Sequence, residues 1–189
     1  MFVARPRKVS DDELRAAAGR AIGRYGPGFT LAQVAGEAGV AVGTVAGRFG
    51  SKQNLLLAMM SVGAAEVGPR MRAAASGRGP VAAIVAAALV ITEGLDDPAT
   101  VSNHLGQLGV DLADPALRSG FAALRASVRE VLAELFAAAD LPGAPPPAKA
   151  ARVIAALTHG ALMDWALNPG DAIAEVLAAD IEAVLRAWR

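Results

Sequence analysis

An all-α protein of about nine helices is the fold class this sequence predicts, and three observations predict it. Alanine supplies 45 of the 189 residues, and no other residue favours a helix as strongly. Apolar positions recur at helical spacing between capping residues and Pro or Gly breaks. No strand-like alternation runs longer than four residues, and no internal repeat is present.

The elements follow in order. Ser10-Asp11-Asp12-Glu13 is a capping box, in which serine accepts from an orphan amide and glutamate reaches back. The acids of this first turn also suit the helix dipole. Leu14, Ala17, Ala18, Ala21, Ile22 and Tyr25 continue the pattern, so residues 10–25 form an amphipathic helix ended by Gly26-Pro27-Gly28. Thr30-x-x-Gln33 is a second capping box, opening a helix of barely two turns, and Gly39 supplies the left-handed corner after it. A third short helix spans about 41–49. Ser51 then caps a longer apolar helix through Leu55, Leu56, Leu57, Met59, Met60 and Val62. Further helices are expected from Pro80 to about Glu93, around 101–110 after Asp96-Asp97-Pro98, and from Pro115 to about Ala139. Residues 141–147 form a loop stiffened by three prolines. Helices over about 148–167 and 171–188 close the chain, split by Asn168-Pro169-Gly170.

Composition excludes some classes. There is no cysteine, so disulfides, thiolate metal sites and cysteine nucleophiles are out, in keeping with a reducing, cytoplasmic setting. No leader pattern opens the sequence, and the longest uncharged apolar run, 81–92, is too short for a membrane span. No nucleophile sits with a neighbouring base, and there is no phosphate loop, paired-histidine motif or perturbed carboxylate pair, so an enzyme is not expected. No cofactor or metal is expected either; His104 and His159 have no ligand spacing.

The zero net charge conceals an asymmetry. Residues 1–52 hold eight basic and four acidic side chains, a net +4, and the remainder is −4. A polyanion-facing head on an acidic body is one reading, and chance scatter of surface charge the other. Within the head, a helix, a glycine-cornered turn and a second short helix make a helix-turn-helix plan over about 30–49. The second helix fits a major groove, while the first directs its amino end toward a phosphate. Thr30 and Lys52 are placed for phosphates. Ala41, Val42, Gly43, Thr44, Ala46, Gly47 and Arg48 are the positions the second helix presents. Arg5, Arg7 and Lys8 form an arm that either reaches a minor groove or only aids solubility.

These residues resemble a known family. Gly28-Phe29-Thr30-Leu31-Ala32-Gln33-Val34-Ala35, Ala38-Gly39-Val40-Ala41-Val42-Gly43-Thr44-Val45 and Phe49-Gly50-Ser51-Lys52-Gln53-Asn54-Leu55-Leu56 are similar to the amino-terminal domain of TetR-type transcriptional regulators. The resemblance is close over roughly 8–65; beyond it lie the helical layout and the stretch 112–118. The family usually carries Ser or Thr at Ala41, Tyr at Ala46 and His or Tyr at Gly47.

The resemblance implies a DNA-binding domain, 8–52, and a helical domain, 53–189, that binds a small-molecule effector and pairs with a second copy. The expected function is therefore a homodimeric regulator, a repressor bound to a palindromic double-stranded operator and released by a small, mostly apolar effector. DNA contacts are assigned to Thr30, Ala41, Val42, Gly43, Thr44, Gly47, Arg48 and Lys52. Met59, Met60, Asn103, His104, Gln107, Leu108, Phe121, Leu124, His159, Met163 and Trp165 are candidate ligand contacts, each also readable as plain core. The dimer contacts are expected at Ala151, Ala155, Ile173, Val176, Leu177, Ile181, Val184 and Leu185, part of which must bury within one subunit. The alternative is a ligand-binding or interaction protein on the same scaffold with weakened specific DNA recognition, suggested by Ala41, Ala46 and Gly47.

Overall fold

In a computed structural model that describes residues 9–95 and 97–189, the described residues form nine α-helices and two 3-10 turns. The basic arm of Arg5, Arg7 and Lys8 lies outside the described residues, as does Asp96. The helices are α1 (Asp11–Tyr25), α2 (Leu31–Ala38), α3 (Val42–Phe49), α4 (Lys52–Ala75), α5 (Pro80–Leu89), α6 (Pro98–Ala113), α7 (Pro115–Ala138), α8 (Pro147–Leu167) and α9 (Ile173–Ala187). The 3-10 turns are Gly26–Gly28 and Val90–Thr92.

Helix starts follow the capping chemistry. Ser10 and Thr30 both close reciprocal capping boxes, with Glu13 and Gln33. Ser51, Asp97 and Asp114 each accept from an amide in the first turn of α4, α6 and α7. Gly39, in the left-handed region at φ 68°, turns α2 into the α2–α3 corner.

Three boundaries differ from the sequence pattern. α4 continues through Pro69 to Ala75, although proline lacks the amide that a helix interior uses. Its neighbours Val67, Gly68 and Met71 are buried, and that packing carries the helix past the break. α6 is longer than expected because its two caps, Asp97 and Asp114, bracket 16 residues. α9 begins two residues late because the Asp171 carbonyl accepts from the Trp165 indole at 2.8 Å, holding that stretch outside the helix.

Two main cores result. The larger joins α4, α5, α7, α8 and α9 around Met71, Ile84, Leu132, Ile154, Leu177 and Ile181, all fully buried. The smaller, amino-terminal core gathers Leu14, Phe29, Val34, Val45, Leu55, Leu56 and Leu117. Its packing unit therefore extends past residue 52 into α4, and one residue comes from α7. A minor cluster of Val101, Leu162, Trp165 and Ile173 closes the far end of α8.

α4 lies against α7 across glycines. A Cβ on Gly63 would sit 3.7 Å from Leu124, one on Gly68 3.5 Å from Val131, and one on Gly120 3.1 Å from Met60. Arg72 on α4 donates to both carboxylate oxygens of Glu134 on α7, at 2.9 and 2.7 Å, a bidentate pair.

Candidate nucleic-acid interface and effector cavity

The outward face of α3 carries the residues expected to face DNA. Ala41, Val42, Gly43, Thr44, Gly47 and Arg48 are exposed, whereas Val45 is fully buried and Ala46 half-buried. Val42 is 51% exposed, a large apolar side chain left on the surface. Ala41 caps α3 with no side-chain hydrogen bond, so the first amides of the helix stay open. Added Cβ atoms on Gly43 or Gly47 would meet nothing within 4 Å, so internal packing does not demand either glycine.

The charged positions are more committed. Arg48 is ion-paired with Asp11 of α1. Arg15 pairs with Asp12. Arg20 donates to the Glu37 carbonyl at 2.9 Å, and Arg24 approaches the Glu37 carboxylate at 3.4 Å. Lys52 places its ammonium on the Pro27 carbonyl at 2.5 Å and 4.1 Å from the centre of the Phe29 ring. Burial lowers the Lys52 pKa, and the charge of Asp111 partly offsets this. The Thr30 hydroxyl, expected at a phosphate, already serves its capping box with Gln33. Each described cation of residues 9–52 thus has a partner within the chain. Those residues hold five bases and four acids, so three of the head's four net positive charges belong to Arg5, Arg7 and Lys8. Sequence reasoning found the asymmetry but not this partition, which needs the ion pairs.

A cavity of about 1060 Å³ lies between α1, α4, α6, α7 and α8. It brings together nine of the eleven expected ligand residues: Met59, Met60, Asn103, His104, Gln107, Leu108, Phe121, Leu124 and His159. The other two lie elsewhere. Met163 is 56% exposed on the outside of α8, and Trp165 is buried against Ile173 beside a smaller cavity of about 460 Å³. Ile22 and Leu56 also line the large cavity; both belong to the amino-terminal core, and spacing along the chain does not reveal that this core borders the cavity. Asp111 also lines the cavity, and nothing in the local pattern of α6 singles it out.

The cavity wall is joined to the amino-terminal core. Asn103 on α6 donates to the Gly23 carbonyl of α1 at 2.7 Å. Gly26 sits beneath it at φ 63° and ψ −156°, with space for a Cβ taken by Asn103 Oδ1 at 2.8 Å. At the start of α7, Asp114 accepts from Gln53 of α4 at 2.8 Å.

Both histidines are pushed toward the neutral form. Burial lowers the pKa of His104, and burial together with the Arg125 charge lowers that of His159. Arg125 approaches His159 Nδ1 at 2.5 Å, and guanidinium has only donors, so the imidazole must offer a lone pair. The folded pKa values therefore lie below the unfolded value of about 6.5. As pH falls through that value the unfolded chain gains protons the folded chain refuses, and stability falls. Urea midpoints should drop between pH 7.5 and 6.0, and the double variant His104→Gln/His159→Gln should show a shallower drop.

The expected dimer contacts need correction. Ala151, Ala155, Leu177, Ile181 and Leu185 are 0% exposed and Ile173 3% within a single chain, so they have no surface left for a partner. They belong to the internal face of α8 and α9; Val176 and Val184 are half-buried. The open face of α8 is Val153, Ala156, Gly160, Met163 and Leu167, spaced three or four residues apart, with Leu167 73% exposed. On α9, Ala179 and Ala183 are exposed, as is Ala172 at its N-cap. The apolar stripe of α9 was legible, but which of two apolar faces turns inward depends on tertiary packing.

Residues 14–59 match the family model described as bacterial regulatory proteins, tetR family. Among solved structures, a transcriptional regulator from Rhodococcus sp. Rha1 is similar over 94% of this chain and 97% of its own, with TM-score 0.72 and 20% identity. A TetR-family transcriptional regulator from Streptomyces coelicolor gives TM-score 0.68 at 23% identity, covering 94% of each chain. The fatty acid degradation regulator FadR from Bacillus halodurans gives 0.71 at 16% identity, over 93% of this chain and 97% of its own. No curated protein matches the chain in sequence. With the helix-turn-helix of α2 and α3 in place, the amino-terminal region of this chain matches the model of the tetR family of bacterial regulatory proteins, and the whole chain has the all-α fold of TetR-family transcriptional regulators.

Proposed function

We propose that this protein is a homodimeric, effector-responsive DNA-binding regulator, a repressor that grips a palindromic operator with two heads and is released by a small, mostly apolar ligand. One observation carries the reading: α6 lines the large cavity and is also bonded to α1 through Asn103 and Gly23. A ligand that changes the position of α6 acts on the reading unit without touching DNA. A preference of about 1–3 kcal/mol for the released arrangement suffices for a useful switch.

In this reading residues 8–52 recognise DNA and 53–189 sense and pair. α3 enters the major groove with Val42, Gly43, Thr44 and Gly47 against the bases or backbone, and Arg48 exchanges Asp11 for DNA. The open stripe of α8 with the small residues of α9 supports pairing of two copies, which sets two heads on neighbouring grooves. Selection from random duplexes at low salt tests the function, with an enriched palindrome expected. The second reading, weakened specific recognition, is favoured by the uncapped start of α3 at Ala41 and by the Arg48–Asp11 pair. A selection that enriches nothing supports it.

The two glycines of α3 give a sharper test. Gly43→Ala and Gly47→Ala should each stabilise the fold, by roughly 1 kcal/mol, since an alanine fits without contact. If glycine serves close approach to DNA, the same variants should lose operator affinity by about ten-fold while their melting temperatures rise. Unchanged affinity would remove the close-approach role.

A further inference from the structure

The α6 wall of the cavity carries a buried acceptor, Gln107 Oε1, that no donor meets. Gln107 is 3% exposed, and its Nε2 donates to Asp111 Oδ1 at 2.7 Å, one turn along the helix. An ionised carboxylate offers only lone pairs, so the amide must face it with nitrogen and turn Oε1 away. That Oε1 is buried without a hydrogen-bond partner. Asp111 is 6% exposed, and its carboxylate accepts only from Gln107 and forms no ion pair among the described residues. Buried polar groups are seldom left so, and a missing partner at the site is one standing explanation.

The surrounding charges narrow that partner. Glu37 on the cavity wall is occupied by Arg20 and Arg24, and Glu93 by Arg70. Asp97 is spent capping α6. Lys52 feels the Asp111 charge but keeps its ammonium on Pro27 and Phe29. Asp111, held only by the Gln107 amide and the Lys52 charge, is therefore the least committed acid of the wall; burial raises its pKa, and those two partners partly offset the rise.

We propose that this corner receives the protonated amine of an otherwise apolar effector, with Asp111 as counter-ion and Gln107 Oε1 as a second acceptor. The proposal rests on the large cavity being the effector site. An ammonium has several donors and no lone pair, which complements a corner made of acceptors. A carboxylate ligand would set like charge against Asp111, and an alcohol would satisfy Oε1 but bring no charge.

Calorimetric titration of the intact protein at pH 7 with decylamine, decanol and decanoate separates these cases. Decylamine should bind roughly ten-fold more tightly than decanol, as expected for a charge-assisted hydrogen bond, and decanoate most weakly. Asp111→Asn keeps an acceptor for Gln107, so it should leave decanol binding intact and abolish the amine preference. Gln107→Leu should weaken decylamine and decanol together. Decanoate binding as tightly as decylamine, or an amine preference that survives Asp111→Asn, overturns the proposal. Decanol binding with no amine preference overturns it alone, whereas failure of all three probes to bind overturns the effector reading of the cavity as well.

Discussion

Gly26→Ala is expected to destabilise the protein by about 2–4 kcal/mol, combining backbone strain with overpacking. Gly26 holds φ 63° and ψ −156°, a region essentially closed to side chains. Its Cβ would also lie 2.8 Å from Asn103 Oδ1, the side chain whose amide grips Gly23. The chain cannot evade the clash by rotating Asn103 without losing that bond. Gly28→Ala, two residues on, provides the comparison: no atom lies within 4 Å of its Cβ and its φ is not positive, so its cost should stay within about 0.5 kcal/mol. Urea midpoints of the two variants measure the difference. Similar midpoints would show that the α1–α6 junction relaxes freely, and would remove the rigid link on which the proposed cavity-to-head coupling rests.

Removing residues 1–8 is expected to change DNA binding more than any single substitution in the reading helix. The arm holds Arg5, Arg7 and Lys8, whereas Arg15, Arg20, Arg24, Arg48 and Lys52 are all engaged within the chain. If the three arm cations each neutralise a phosphate, the slope of log affinity against log salt should fall by about 2.7. Raising salt from 50 to 200 mM would then weaken the intact protein roughly 40-fold more than the shortened one. Unchanged slopes, read by anisotropy on a nonspecific duplex, would assign the arm to solubility alone. The head's own ion pairs would then be the cations that open onto phosphate.

Much of the fold was legible because its determinants are local. Ser10, Thr30, Asp97 and Asp114 cap helices through bonds to residues two or three positions on, and Gly39 turns a corner by its own torsion angle. The cavity was partly legible because Met59, Gln107 and Phe121 are residue types that suit a mixed lining. What escaped depends on contacts between distant elements. Ala151 and Ile181 read as apolar and pairable, yet the monomer core consumes them. Lys52 follows the reading helix in sequence, but Pro27 and Phe29 claim its charge. Asp111 gains meaning only through burial beside Gln107.

The glycines between α4 and α7 restrict how the two helices can move relative to one another. With Gly63, Gly68 and Gly120 at the seam, even an added Cβ would meet the facing helix at 3.1 to 3.7 Å, so little room is left for tilting one helix toward the other. Sliding along the seam meets fewer side chains to climb. The Arg72–Glu134 fork resists long travel but accommodates short travel through its flexible stems. Any shift of α4 along this seam is therefore expected to be a short shear rather than a tilt, and α4 is capped at Ser51, directly after the α3 corner.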